Sequence, residues 1–384
     1  TDTYFGTFNP ADGFGPTINF PFNGLPGFSL SNTAGNPDLG PEFTTSWELG
    51  TDLSIWKDLL SLELTYYQNK STDIILAVPN SPASGVSEVV RNAGSMTTKG
   101  WEVGLTLTPV KTRNFEWAST FNFTQFNSVV DELAPGVANI FLGGFVTPNI
   151  RLVKGEEYGQ IYGNAYQRNG EGQLLLDANG LPLPTANVQN IGNPNPDWTL
   201  GINNNISFKG LSLNVLLDYR KGGAQYSRNI ADIQRQGAGI ETAEKERLNA
   251  DGTPARPYKY EGVFASGPNA GKANAGAEEK LLTAEQYWGN AGKYVAAEGF
   301  VYGTTWFRVR EAALNYTFPK RIVERARMGN LTLGVFGRNL FLSTPDYLHL
   351  DPEQNALGIS NAQGLEFNAL PQQRSYGVNL NVTF

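Results

Sequence analysis

Apolar and polar residues alternate with a period of two along much of this chain. At the C-terminal end, Tyr376, Val378, Leu380, Val382 and Phe384 interleave with Ser375, Gly377, Asn379, Asn381 and Thr383, the pattern of a strand with one apolar and one polar face. Trp198, Leu200, Ile202, Ile206 and Phe208 alternate with Thr199, Gly201, Asn203, Asn205 and Ser207. Leu211, Leu213, Val215, Leu217 and Tyr219 alternate with Ser212, Asn214, Asp218 and Arg220. Lys209 and Gly210 between them predict a tight hairpin. The same pattern predicts strands at Phe43 to Ser54, Leu59 to Thr72, Thr98 to Val110, Asn114 to Ser128, Ile140 to Val153, Glu157 to Gln167, Thr304 to Phe318 and Asn330 to Leu342, about 11 strands in all.

Their length is informative. A strand of some 10 to 15 residues exceeds the usual soluble strand and matches the roughly 9 to 11 that a tilted strand needs to cross a bilayer. The connections alternate too. Short ones fall at Ile55 to Leu59, Lys111 to Arg113, Lys154 to Glu156, Lys209 to Gly210 and Pro319 to Gly329, long ones at Ser71 to Thr97, Arg168 to Pro196, Gly222 to Gly303 and Ser343 to Gln373. Short turns at one rim and long loops at the other are the signature of an outer-membrane barrel, with the long loops outside. Parity then sets Phe384 at the periplasmic rim and makes Thr1 to Glu42 an external loop. Trp47, Tyr66, Trp101, Trp198 and Tyr219, with Trp56, Trp117 and Phe318, sit near strand ends, where interfacial girdles form. One strand conflicts with its own phase: a lipid-facing set of Ala312, Leu314, Tyr316 and Phe318 would carry Arg308 and Arg310 with it. A β-bulge, or projection of the strand beyond the bilayer, removes the conflict.

Composition narrows the class to all-β. Of 384 residues 40% are hydrophobic and only 17% charged, with 43 glycines and 12% aromatics, which favours strands and turns over helices. The longest apolar run, Ala138 to Val146, falls short of the roughly 20 residues of a transmembrane helix, so a membrane role requires a closed sheet. A mean hydropathy of -0.31 is compatible with that, because alternation hides the apolar half. With no cysteine, disulfides, Cys-ligated zinc and thiol catalysis are excluded. The net charge of -7 disfavours a nucleic-acid partner, and the cluster Lys320, Arg321, Arg325 and Arg327 reads as a solvated turn. The chain starts at Thr1 without a start methionine or signal peptide, as expected for one piece of a longer polypeptide.

Candidate chemistry is sparse. The single histidine, His349, rules against His-based triads and multi-His metal sites. Gly267 to Lys272 has the wrong spacing for a phosphate loop, and Ala273 stands where Ser or Thr is needed. Glu278 with Glu279 and Asp351 with Glu353 read as solvated loop carboxylates rather than a glycosidase pair. No catalytic, metal or cofactor site is expected, and the chain does not read as an enzyme. The Gly222 to Gly303 loop is far longer than a connection requires, and its aromatics lie among amide and charged side chains. Tyr258, Tyr260, Tyr287, Trp288, Tyr294 and Tyr302 are the candidate substrate-binding residues, suited to sugars or peptides at a vestibule. Packing of these rings against the loop itself, or against a lid protein, is the alternative. A short helix is predicted over Thr283 to Gly289, capped by Thr283.

Several short motifs resemble those of one family. Asn36 to Glu42 followed by Thr44, Ser46, Trp47, Glu48 and Gly50, Leu64 to Tyr67 running into Lys70, Thr72, Asp73 and Ile74, and Asn92 to Gly94 before Lys99 to Glu102 are similar to the SusC/RagA branch of TonB-dependent outer-membrane transporters. So are Gly192 to Trp198, Asp218 to Gly223, Phe307 to Arg310, Gly337 to Phe341, Asp351 to Glu353 and the terminal Phe384. The resemblance implies a barrel of roughly 22 strands, of which this chain supplies the C-terminal part of a single barrel domain; the plug and the TonB-contact segment lie elsewhere. It further implies active import of oligosaccharides, or of peptides, in the Gram-negative outer membrane of Bacteroidetes. The implied partners are a SusD-like surface lipoprotein and the TonB-ExbB-ExbD energising system. A passive porin, or a structural barrel without energy coupling, is the alternative reading.

Overall fold

The computed structural model describes residues 33–56, 59–243, 257–358, 360–370 and 372–384. Most of the expected external loop of Thr1 to Glu42 therefore lies outside the described residues.

Nine long strands form one antiparallel sheet. Four come first in the chain: β1 (Phe43–Ile55), β2 (Leu60–Pro79), β3 (Glu88–Lys111) and β4 (Phe115–Leu133). An inserted segment then carries β5 (Asn139–Gly144), β6 (Asn149–Val153), β7 (Gln160–Gly163) and β8 (Gln189–Gly192), which pair only with one another as a separate four-stranded sheet. The wall resumes with β9 (Trp198–Phe208) and β10 (Leu211–Lys221). A second insertion holds β11 (Ala224–Ser227), the helix α1 (Arg228–Arg235), the helix α2 (Ala284–Trp288) and β12 (Val301–Gly303). β13 (Trp306–Thr317) and β14 (Asn330–Ser343) continue the wall. A third insertion containing β15 (Leu365–Glu366) precedes the last strand, β16 (Ser375–Thr383). The wall order is β16-β14-β13-β10-β9-β4-β3-β2-β1, so strands that follow each other in the wall are neighbours, and the two edge strands each have one long partner.

Turn chemistry fixes the register at the tight rim. Lys209 and Gly210 both take positive φ, 46° and 90°, the mirror-image turn whose twist matches that of the flanking strands. Pairing then runs without a break from Phe208 opposite Leu211 to Trp198 opposite Lys221. A side chain at Gly210 would also meet the Thr317 carbonyl oxygen at 2.7 Å.

The two faces of the wall differ as the alternation predicts. Leu49, Leu53, Leu314, Val335, Val378 and Leu380 stand exposed on one face. The opposite face is largely amide and hydroxyl: Thr106 bonds Thr120, Asn214 donates to Asn203 and Asn205, and Asn379 donates to Asn315. On the apolar face aromatics gather in two bands. Trp47, Tyr66 and Trp101 pack in sequence at 5.3 and 4.7 Å, and Phe123, Trp198 and Tyr219 at 5.8 and 5.1 Å. Near the tight rim Phe115 meets Phe208 and Tyr316 meets Phe318. An 11-residue strand such as β9 joins the two bands, and a tilted strand of that length crosses the roughly 25 Å of a membrane belt.

Three expectations need correction. Ile140 to Val153 is not one wall strand: Gly144, at φ 121°, ends β5 and a turn through Pro148 starts β6. Glu157 to Gln167 supplies only the short β7, although Val129 bridges Glu157, so this backbone covers the part of β4 that β9 does not reach. Nine of the expected strands thus form the wall, and removing two leaves parity intact. The connection Lys154 to Glu156 consequently belongs to the inserted sheet and not to the tight rim. Finally, Ser71 to Thr97 is mostly not a loop. β2 and β3 continue to Pro79 and from Glu88, with register shifts near Ser71 and Ile74, and project as a ribbon. Asp73, at φ 58°, interrupts the alternation there, which hid the continuation.

The bulge expected in Thr304 to Phe318 is present. Opposite Leu216 and Leu217 of β10, β13 sets Glu311 and Val309, leaving Arg310 as an extra residue. Phe307 and Val309 therefore share the apolar face with Ala312, Leu314 and Tyr316, while Arg308 turns to the polar side and is 1% exposed.

Candidate binding vestibule

All three insertions leave the wall at the rim opposite the tight turns, and three apolar clusters fasten them together. The first joins Ile150, Ile161, Tyr226, Ala231, Phe300 and Leu365, drawing on every insertion. The second seats Ile140 and Leu152 on Val78, Ala93 and Val130 of the wall strands. The third packs Leu176 of the first insertion with Tyr258, Tyr260, Phe264 and Leu282 of the second. The result is a canopy over one rim with its own cores.

Of the six candidate aromatics, four fall in the third cluster. Tyr258 and Tyr260 are buried, and Tyr287 stacks on both at 4.7 and 4.4 Å, with Trp288 edge-on. The Tyr260 hydroxyl donates to the Tyr287 carbonyl oxygen at 2.6 Å, and burial pushes its pKa far above that of an ordinary tyrosine. Thr283 caps α2 through a reciprocal capping box with Gln286, as the sequence suggested. Tyr294 lies apart, with the guanidinium groups of Arg228 and Arg235 over its ring at 5.5 and 4.8 Å and Asp232 bonded to both cations. Tyr302 accepts from Lys293 Nζ at 3.1 Å.

Lys293 links these groups. Its ammonium sits over Trp288, Phe300 and Tyr302 at 5.0 to 5.5 Å and donates to Gln234 at 2.8 Å. Burial pushes its pKa down to about 8, with Glu241 opposing the shift. Gln234 donates in turn to Glu241, which pairs with His349 Nε2 at 3.0 Å and so ties the second insertion to the third. Nothing local in the sequence signals that pairing, because the partner lies 108 positions away.

The neck of the third insertion is held by charge. Arg308 Nη2 reaches Asp351 at 2.6 Å and Glu353 at 3.0 Å, both partners largely buried. Arg310 grips Glu353 with both terminal nitrogens and Asp218 with Nε. Asp351 and Glu353 are therefore not solvated loop carboxylates as expected; the bulge turns both arginines toward them. Trp306 lies beneath both guanidiniums, 5.4 and 5.3 Å from its ring centre. Beside α1 and α2 a recess of about 670 Å³ opens, lined by Arg235, Gln236, Glu285, Gln286 and Asn290 together with Leu181 and Ala291. Amide, guanidinium and carboxylate groups around such a space can bond hydroxyl-rich or amide-rich ligands.

A wall of long strands with an apolar outer belt, two aromatic bands, a polar reverse face and a canopy at one rim defines a section of an outer-membrane-type β-barrel. Residues 4–340 match the family model described as TonB dependent receptor-like, beta-barrel, and the chain belongs to that family. It is 25% identical over 379 residues to TonB-dependent receptor P3 of Formosa agariphila, covering 91% of this chain and 35% of that protein. It is 24% identical over 162 residues to TonB-dependent receptor SusC of Bacteroides thetaiotaomicron. Among solved structures it is similar to the RagAB peptide importer in its closed-closed state, with a TM-score of 0.67 at 19% identity over 99% of this chain and 38% of the other. The chain spans about a third of the length of the three Formosa agariphila relatives it matches.

Proposed function

We propose that this chain is the C-terminal section of an active outer-membrane importer of the SusC kind, energised through TonB, which takes up oligosaccharides or peptides. The carrying observation is the canopy: three insertions with shared cores at a single rim of a wall whose family is that of TonB-dependent receptors. A passive pore has no need of so much fixed structure across one mouth. In this reading the canopy and residues 1–42 face outside, and Phe384 lies at the periplasmic rim. The remaining strands and a plug complete one barrel domain, and a SusD-like lipoprotein covers the vestibule. TonB acts with ExbB and ExbD through the segment outside this chain. Substrate held under the lid shifts the plug toward a TonB-accessible state only if its contacts differ between the two states.

The recess beside α1 and α2 and the half-buried aromatics Tyr287, Trp288, Tyr294 and Tyr302 are the binding groups in this reading; Tyr258 and Tyr260 support them from beneath. An oligosaccharide is the first cargo class. Peptides form the second, favoured by the fold shared with a peptide importer.

Uptake of labelled oligosaccharide and peptide mixtures by cells carrying the full-length protein tests the reading. Deleting the TonB-contact segment, or dissipating the proton gradient, abolishes uptake if the importer reading holds. Uptake that survives both treatments makes the protein a pore.

A further inference from the structure

The outer belt is not uniform. One row of it, set by strand register, reads Val215, Ala312, Gly337 and Tyr376 across β10, β13, β14 and β16. The two central positions have almost no side chain. The row nearer the tight rim is Leu213, Leu314, Val335 and Val378, all large. On the other side the register slips again between β13 and β14, where Val309 faces Phe341 and Glu311 faces Arg338. That slip brings Leu340 over Gly337: a Cβ built on Gly337 would lie 2.6 Å from Leu340 Cδ2 and 3.1 Å from Tyr376 Cδ1. Small residues thus make a floor and the two bulged strands raise its far wall. The outcome is a groove of about 530 Å³ lined by Leu213, Leu314, Val335, Leu340, Tyr376 and Val378.

We propose that this groove is a binding site for one acyl chain of a phospholipid. The occupant follows from where the groove lies. It is cut into the belt of a membrane-barrel family, continuous with Leu333, Leu380 and Phe341, each 44 to 66% exposed on the same face. Hydrocarbon is the medium that meets such a surface. The groove is one row of residues deep and its floor is roughly 7 Å of strand, which suits a single unbranched chain. Phospholipid is the source because the apolar-face residues above the groove, Phe307, Phe341 and Ser343, carry no charge to grip the phosphates of a lipopolysaccharide. A chain lying in the groove gains carbon contacts that it lacks against a flat belt, and that difference makes the site selective. This inference rests on the family and the outer belt, so it stands whether or not import is the function.

Photolabelling tests it. Full-length protein is placed in nanodiscs of phosphatidylethanolamine bearing a diazirine along one acyl chain, and labelled peptides are mapped by mass spectrometry. Labelling of 333–341 and 375–380 is expected at roughly fourfold the level at Ile202 and Leu217, the ratio that about six additional carbon contacts supply. Ala312→Phe fills the floor and brings the ratio to about one while leaving the rest of the map unchanged. Even labelling around the belt of the unsubstituted protein overturns the proposal. So does labelling at the groove below that at Ile202 and Leu217, which would mean that protein covers it.

Discussion

At the scale of single residues, two polar groups in apolar surroundings carry sharp expectations. Asn204 and Ser119 face each other on the apolar side of β9 and β4. Ser119 Oγ donates to Asn204 Oδ1 at 2.6 Å, and the Trp117 indole reaches the same oxygen at 3.4 Å. Asn204→Leu strips the hydroxyl of its acceptor in a medium without water, at about 1–3 kcal/mol. Adding Ser119→Ala recovers most of that loss, which a double-mutant cycle on barrel unfolding measures; additive losses would sink the account. The sequence shows Asn204 only as a gap in the apolar alternation, since its partner is 85 positions distant.

Lys293 offers a pH dependence. Its pKa of about 8 lies below the usual 10.5, so between those values the folded canopy has released a proton that the unfolded chain retains. Stability then rises with pH from about 8 to 10.5 and is lowest where Lys293 is charged in both states. An NMR titration of methylated lysines is expected to show one resonance with a midpoint near 8. If every lysine titrates at its ordinary value, the ammonium is not enclosed as described.

At the scale of elements, the wall and the canopy differ in how far sequence foretells them. Wall strands are legible because each face meets a single medium, so the alternation runs through β9, β10 and β16 with single breaks at Asn204 and Leu216. The inserted strands β5 to β8 are short, and β6 and β7 are largely buried, so their apolar residues resemble wall residues while their pairing is decided by distant contacts. The candidate aromatics show the same limit: composition located them, but only tertiary packing decides which are buried and which keep an edge free. The charged neck is the clearest case. Arg308 is nearly fully buried against Asp351, and removing one member of such a pair costs about 3–5 kcal/mol. Arg308→Met is therefore expected to speed amide exchange across 350–366 by roughly a hundredfold or more, while β9 and β10 exchange as before. Unchanged exchange in the third insertion would show that its apolar cluster alone holds it.

At the scale of the whole molecule, the nine-stranded wall has two edges, β1 and β16, each with a long partner on one side only. In lipid those edges need pairing, and the relatives, about three times as long, have the chain to supply it. We propose that Phe384, 93% exposed just past the end of β16, is an aromatic that helps such a barrel enter the membrane. Deleting it in the full-length protein is expected to lower the fraction recovered as a heat-modifiable barrel. Normal recovery would remove that role from Phe384.

The extra residue in β13 also bears on how such a chain can vary over time. Replacing Arg310 by another amino acid costs the grip on Glu353 and Asp218 and the contact with Trp306. Losing the position altogether is a different event. Val309 would then adjoin Glu311 directly, still opposite Leu217, so the bulge would be lost while Phe307 and Val309 kept the apolar side and Arg308 the polar one. Position 310 thus marks a point where this strand can lose a residue without changing the phase of its faces. Changes in chain length at this rim are accordingly open to the bulge as well as to the insertions, while the rest of the wall stays in phase.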